Sequence, residues 1–207
     1  MMMSRWFAML TAVGFYVSLM ALAGCGTSAP TRFYVLSPMP ASEEGSQVVL
    51  DERCLAIGIG PITLPQYLER PQIVTRLNSN EMKLADFDQW AEPLKDNFTR
   101  VLAENLSALL CADAMAVFPW SGSTPVDYQV QVEVIRLDGA LGGEAVMTAR
   151  WAIMGEDSRK VLYTTTSSYR APVPDSEDYS PLVMTQSRLL EKFSNDVAEA
   201  IKEVMLK

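Results

Sequence analysis

The sequence contains no histidine, the side chain that most often moves protons near neutral pH. Catalytic triads built on histidine and zinc or iron sites with histidine ligands are therefore excluded. No tract of basic residues is present, and the net charge over 207 residues is −8, so the chain lacks the cation density that nucleic-acid binding requires. These absences favour a non-enzymatic protein that needs no metal or other cofactor and binds no nucleic acid.

The sequence has one long apolar run, residues 6–20, which follows the lone charge of Arg5. Small residues come next, and the region ends in Leu22-Ala23-Gly24-Cys25. A positive start, an apolar stretch and small residues at a cleavage site are the three parts of a secretory signal peptide, which we predict over residues 1–24. A permanent N-terminal membrane span is the alternative.

The four residues that end at Cys25 resemble the lipobox of bacterial lipoproteins. The resemblance implies a diacylglyceryl thioether on Cys25, cleavage before it and acylation, such as palmitoylation, of the new N-terminus. Several acyl chains make a stable anchor where one chain is marginal. Gly26 follows instead of Asp, which by the usual sorting rule implies the outer membrane of a Gram-negative cell, with the protein facing the periplasm. Residues 25–31 would then be a lipidated N-terminus and short tether, before a single periplasmic α/β domain at 32–207.

Alternation of apolar and polar residues predicts a β-sheet in the second half of the mature chain. Residues 126–134 and 145–153 alternate with period two, and residues 161–169 are rich in Thr and Tyr, which together indicate an antiparallel meander. A long strand is predicted at 48–62, and short strands at 33–36, 72–77, 82–85 and 115–118. Gly58-Ile59-Gly60-Pro61 is interpreted as a strand ending in a turn, since no helix follows to hold a phosphate.

Two amphipathic helices are predicted beside these strands. The first carries an apolar stripe at helical spacing and is capped by Asp86 or Asp88, with Pro93 in or near its first turn. The second begins at Ser180-Pro181. The apolar stripes are Trp90, Leu94, Phe98, Leu102, Leu106 and Leu109 in the first helix and Leu190, Phe193, Val197, Ile201 and Val204 in the second. The expected fold is α+β, a two-layer α/β sandwich with a mixed, mainly antiparallel sheet and two amphipathic helices on one face.

Two cysteines, Cys54 and Cys111, remain once Cys25 carries lipid. An oxidising periplasm makes a disulfide between them reasonable. Cys54 opens the long predicted strand and Cys111 ends the first helix, and in a strand–helix–strand layer these points fall at one edge. Two buried free thiols are an equal alternative.

Three prolines restrict residues 60–76, a segment that carries Tyr67, Leu68, Arg70 and Arg76. Rigid loops that present an aromatic residue and an arginine are typical of binding sites. We therefore predict that these four residues form a partner-contact surface. The alternative is a proline-limited connection whose Tyr and Leu cover the edge of the sheet.

The order and spacing of several segments resemble the PqiC/YmbA family of auxiliary lipoproteins of ABC-type transport systems. The segments are the lipobox, Phe33-Tyr34-Val35-Leu36-Ser37-Pro38, residues 60–76 with their Leu-Pro-x-Tyr-Leu core, and Trp90-Ala91-Glu92-Pro93-Leu94. The resemblance covers essentially the whole mature chain and is strongest at residues 55–110. The two cysteines Cys54 and Cys111 are not a general feature of the family, so their pairing would be specific to this sequence.

The family implies an outer-membrane lipoprotein that works with an MCE-domain protein and a multi-span inner-membrane permease to carry phospholipid or related molecules across the periplasm. It implies no catalytic residues, and it leaves a homo-oligomer open. We expect a non-enzymatic docking component of such a system. The alternative is a periplasmic lipoprotein that binds and activates an enzyme of cell-envelope synthesis.

Overall fold

Within residues 29–40, 54–120, 126–155 and 160–206, the part of the chain that the computed structural model describes, eight strands and two α-helices follow one another. They belong to one unit, Thr31–Lys207. The bounds are β1 Arg32–Tyr34, β2 Leu55–Thr63, β3 Gln72–Arg76, β4 Met82–Trp90, α1 Leu94–Leu109, β5 Ala112–Val117, β6 Tyr128–Gly139, β7 Glu144–Met154, β8 Val161–Pro172 and α2 Ser180–Met205. A single 3-10 turn, Gln66–Leu68, precedes β3. The predicted signal peptide, Cys25 and residues 48–53 of the predicted long strand lie outside the described residues.

A five-stranded mixed sheet in the order β5-β2-β6-β7-β8 forms the larger layer. Strand β2 runs parallel to both β5 and β6, while β6, β7 and β8 form an antiparallel meander. The register places Val132 opposite Trp151, and Trp151 opposite Thr165. The meander read from the period-two pattern is confirmed.

Both helices pack against this sheet, and their apolar stripes build the core. Phe98 of α1 and Phe193 of α2 are completely buried, with ring centroids 6.3 Å apart. Trp151 of β7 meets Phe193 edge-on, with centroids 5.8 Å apart. Truncating such a buried aromatic to alanine removes about 3–5 kcal/mol of stability. The expected α+β class, with two amphipathic helices against a mixed sheet, is confirmed.

A second, three-stranded sheet has the order β1-β4-β3, and within the described residues no backbone ladder joins it to the first. The sequence predicted a single sheet. Strands β3 and β4 form a hairpin across the turn that contains Asn78, and β1 adds to β4 in parallel. Asn78 Oδ1 accepts a hydrogen bond from the backbone N–H of Asn80, which stabilises the turn. Local patterns identify the hairpin but not the sheet that it joins.

The first helix begins later than predicted. Trp90 is the last residue of β4, and α1 starts at Leu94 with Pro93 at its N-cap position. Neither Asp86 nor Asp88 caps the helix. Proline disfavours helical conformation in the residue before it, which explains why the helix cannot extend back through this point.

Strand β2 also continues past the predicted turn at Gly60-Pro61, and runs on to Thr63 through an irregularity between Ile59 and Ile62. Gly60 has φ of +112°, and a Cβ there would lie 2.9 Å from the Cβ of Phe118. Glycine is therefore required for this local bend and for the close approach of the chain after β5.

Candidate functional site

Two separate segments of the chain line one open cleft of about 590 Å³. The first segment contains the 3-10 turn and the chain that leads into β3. The second joins the end of β4 to the start of α1. The lining residues include Leu64, Leu68, Arg70, Pro71, Trp90 and Lys95. These are the same two segments, Leu-Pro-x-Tyr-Leu and Trp-Ala-Glu-Pro-Leu, that carry the family resemblance.

Backbone contacts and buried side chains hold the two segments together. The N–H of Trp90 donates to the carbonyl oxygen of Pro71 at 2.7 Å. Leu68 and Trp90 are only 4% and 5% exposed, so they form the apolar floor of the cleft and belong to the core. Pro65 and Pro93 fix φ on either side, which makes the cleft a preformed feature.

Charged side chains surround this floor. Arg70 and Lys95 are exposed and, within the described residues, neither has an ion-pair partner. Glu92 is paired with Arg100, at 2.7 Å between Oε1 and Nη2. Glu69 and Asp96 also line the cleft without an ion-pair partner among the described residues, so two unpaired cations and two unpaired anions stand around its apolar floor.

Tyr67 and Arg76 do not join Arg70 on a common surface but bind the carboxylate of Asp138. The Tyr67 hydroxyl donates to Oδ2 at 3.1 Å, and Arg76 donates from Nε to Oδ1 at 3.0 Å and from Nη2 to Oδ2 at 2.7 Å. Arg136 adds a hydrogen bond from Nε to Oδ1 at 2.9 Å. The fold therefore uses the Tyr67 and Arg76 side chains to hold a buried carboxylate.

The four residues of the predicted partner-contact surface therefore lie in different environments. Leu68 lies in the core, Tyr67 and Arg76 hold a completely buried carboxylate, and Arg70 alone of the four is exposed. Proline-bounded segments can present side chains inward as well as outward, and the sequence did not distinguish the two. As a contact residue, Arg70 remains a prediction.

Electrostatics keep this cluster in one ionisation state near neutral pH. Burial, together with the charge of Asp138, raises the pKa of the Tyr67 hydroxyl to about 12. Burial alone would raise the pKa of Asp138, but hydrogen bonds from Arg76 and Arg136 hold it below its ordinary value. A neutral tyrosine donor and an ionised aspartate acceptor suit a structural network rather than proton transfer.

Sequence reasoning did not identify Asp138 and Arg136 as members of this network. The available signal was the position of Asp138, which continues a strand whose alternate residues are apolar valines. A carboxylate in such a strand needs hydrogen-bond partners if it is buried. Lys95 was also missed, because the helix was expected to begin before it.

Cys54 and Cys111 form a disulfide in the structure, with their Cα atoms 4.8 Å apart. Strands β2 and β5 are neighbours, and the N–H of Leu55 donates to the carbonyl oxygen of Cys111 at 2.9 Å. The bond thus ties the start of β2 to the chain between α1 and β5.

Two further properties concern ions and membranes. Among the described residues, no group of three or more Cys, Asp or Glu side chains is arranged to hold a metal ion. No helix in that same part of the chain is long and apolar enough to cross a membrane.

The chain is similar to known proteins in sequence and in fold. The protein "Intermembrane transport lipoprotein PqiC" of Escherichia coli (strain K12) is 22% identical over 151 residues, which are 73% of this chain and 74% of the relative. The crystal structure of protein XCC0632 from Xanthomonas campestris covers 80% of this chain and 92% of its own, with 14% identity and a TM-score of 0.62. The structure of an uncharacterized protein covers 84% of this chain and 99% of its own, with 16% identity and a TM-score of 0.65.

The two solved structures support the α+β fold. A family model described as "ABC-type transport auxiliary lipoprotein component" matches residues 34–198, which include both segments of the cleft and all but the end of α2. The chain therefore belongs to the family of ABC-type transport auxiliary lipoprotein components.

Proposed function

We propose that this protein is a non-enzymatic docking component of an MCE-type intermembrane lipid-transport system, anchored in the outer membrane and facing the periplasm. Membership of the transport auxiliary family supports a transport role. The name of the Escherichia coli relative supports transport between membranes. The lipobox-like sequence ending at Cys25, followed by Gly26, supports the anchor and its membrane.

The cleft is the observation that supports docking. Segments separated by about twenty residues converge on it, and its floor is part of the core, so it exists without a partner. Preformed sites lose little conformational entropy on binding. An apolar side chain of the partner would enter above Leu68 and Trp90, while acidic groups beside it would face Arg70 and Lys95.

An affinity measurement with the lipidated protein in detergent tests this proposal. The ligand is an MCE-domain protein from the same bacterium, and the variant is Arg70→Glu with Lys95→Glu. We expect at least a tenfold loss of affinity, about 1.4 kcal/mol, because both cations at the cleft are replaced by charges that repel an acidic partner.

The matched control is Arg170→Glu with Lys202→Glu, which makes the same change in net charge at exposed positions that do not line the cleft. Affinity within about twofold of wild type is expected for the control, since screening weakens distant charges. Equal losses in both variants would assign the effect to overall charge. Absence of binding by the wild-type protein would reject the docking role itself.

A further inference from the structure

A second groove lies between the chain that leaves β1 and the first turns of α2, on residues that the docking proposal does not use. Its volume is about 340 Å³. Three of its large apolar side chains are exposed: Phe33 at 64%, Val35 at 44% and Met184 at 50%. The lining residues are Phe33, Tyr34, Val35, Ser37, Ser180, Val183, Met184 and Ser187.

The backbone on both sides of this groove is fixed. The Tyr34 hydroxyl donates to Asp88 Oδ1 at 2.8 Å, and the N–H of Ser37 donates to the Ser187 hydroxyl of α2 at 3.1 Å. Val183 lies in the core beneath the groove. The exposed apolar side chains are therefore presented by a rigid surface, and the fold does not bury them.

The chemistry of the groove differs from that of the cleft. None of its eight lining residues is charged, whereas five of the twelve residues that line the cleft are charged. Apolar side chains beside serine hydroxyls match the boundary between acyl chains and headgroups, where apolar groups enter and hydroxyls stay hydrated. Arg188, whose Nη2 lies 3.6 Å from Met184 Sδ, is a charged neighbour of the groove but does not line it.

The position of the groove in the chain identifies the occupant. Arg32 is seven positions after Cys25, and a fully extended chain of that length spans at most about 25 Å. Phe33 and Val35 are thus the first large apolar residues after the proposed lipid anchor. We propose that the domain rests on its anchoring membrane through this groove, with Phe33, Val35 and Met184 entering the headgroup region of the bilayer. This inference rests on the anchor at Cys25 but not on the docking cleft.

The sheet supplies a matched control position. Leu182, at the start of α2, lies beside Gly139, and the register places Gly139, Ala145 and Ala171 together at that end of the five-stranded sheet. Val161, 54% exposed, lies ten residues from Ala171 along β8. At about 3.3 Å per residue, this places Val161 roughly 30 Å from the groove end of the sheet.

The test places tryptophan at one position at a time in the full lipidated protein. The variants are Phe33→Trp, Met184→Trp and Val161→Trp, reconstituted into liposomes with and without phospholipid brominated on its acyl chains. The native tryptophan signal is subtracted with the wild-type protein. Flotation of the liposomes reports in the same sample whether the protein is anchored.

Bromine should quench the added fluorescence at positions 33 and 184 by about half or more, because interfacial side chains lie about 5–10 Å into the headgroup–acyl boundary. Quenching at position 161 should be negligible. Position 184 is decisive, since its proximity to lipid cannot result from the tether alone. Floating protein with no quenching at position 184, or with equal quenching at position 161, would overturn the groove but leave the anchor intact. Protein that does not float would overturn the anchor and this inference together, while leaving the affinity test of the cleft unaffected.

Discussion

Arg76, the last residue of β3, makes two hydrogen bonds to the buried carboxylate of Asp138 near the end of β6, and so joins the three-stranded sheet to the five-stranded sheet. The carboxylate has no exposed surface, whereas the Arg76 side chain is partly exposed. An ionised aspartate at this depth is tolerated only because three side chains donate hydrogen bonds to it. The relation between the two sheets therefore depends on charge as well as apolar packing.

Replacing Asp138 by asparagine should destabilise the protein by about 3 kcal/mol near neutral pH, because the substitution leaves two arginines without their buried counter-charge. Chemical denaturation followed by circular dichroism measures the change. Glu199→Gln, an exposed carboxylate on α2, is the control and should remain within about 0.5 kcal/mol of wild type.

The same pair of proteins gives a pH prediction. The folded state lowers the pKa of Asp138, so its stabilising contribution is complete above the unfolded value of about 3.9 and is lost as pH falls through the lower folded value. The stability difference between wild type and Asp138→Asn should be constant from about pH 5 to 7 and shrink below about pH 4. A difference that grew with acidity would contradict the assigned charge state.

Two substitutions in the proline-bounded segment should separate structure from binding. Tyr67→Phe removes the hydroxyl that donates to Asp138 and should cost about 1–2 kcal/mol of stability, with little direct effect on partner affinity. Arg70→Ala removes an exposed side chain and should change stability by less than about 0.5 kcal/mol while weakening partner binding. Thermal unfolding and the affinity measurement, made on both variants, check this. A large stability loss in Arg70→Ala would place its side chain in the fold.

The disulfide should be present in protein exported to the periplasm. The pair closes a loop with a sequence separation of 57, and the chain-entropy relation gives about 4 kcal/mol of stabilisation for such a loop. Thiol labelling of denatured protein, before and after reduction, measures the bond directly. Cys54→Ser with Cys111→Ser should lower the free energy of unfolding. Equal labelling with and without reductant would mean that both thiols are free.

Replacing Cys25 by serine should leave an unprocessed precursor that does not reach the outer membrane. The thioether to diacylglycerol requires the thiol at this position, and an oxygen cannot replace it in the linkage. Membrane fractionation and the mass of the protein from the same cells check the prediction. Normal outer-membrane fractionation of the variant would reject the lipid anchor.

The parts of the fold that follow from local periodicity were predictable. The period-two alternation at residues 126–134 and the stripe that includes Phe193 each specify one element and its buried face. The position of Trp90 in β4 rather than in the first helix was not predictable. A buried residue at the end of a strand can continue the apolar spacing of the helix after it. How the separate sheet of the β3–β4 hairpin is held against the larger sheet depends on contacts such as that of Arg76 with Asp138, which are 62 residues apart in the chain.

The candidate site shows a similar division. The sequence identified residues 60–76 as a candidate site, since three prolines, a tyrosine and two arginines mark them, whereas the second segment of the cleft was marked only by the family resemblance. It could not tell which side chains face outward, because that depends on the position of Asp138 beneath Tyr67. The groove at Phe33 and Met184 combines residues about 150 positions apart, and no local pattern in either segment shows that the two meet.

With the proposed lipid anchor at Cys25, Leu36 would determine how far the domain can reach from its membrane. Its side chain is buried, and its N–H donates to Asn97 Oδ1 of α1 at 2.6 Å, whereas the preceding strand β1 has only three residues at the edge of its sheet. Tension on the chain at Cys25 would detach β1 first, and the detachment would stop at Leu36. The extended chain between Cys25 and the domain would then lengthen from about 25 Å to roughly 35–40 Å. Because β1 also carries Phe33, that extension would remove one wall of the groove. The contact of Leu36 with Asn97 would therefore set the greatest distance that the domain can reach from the bilayer without disruption of its core.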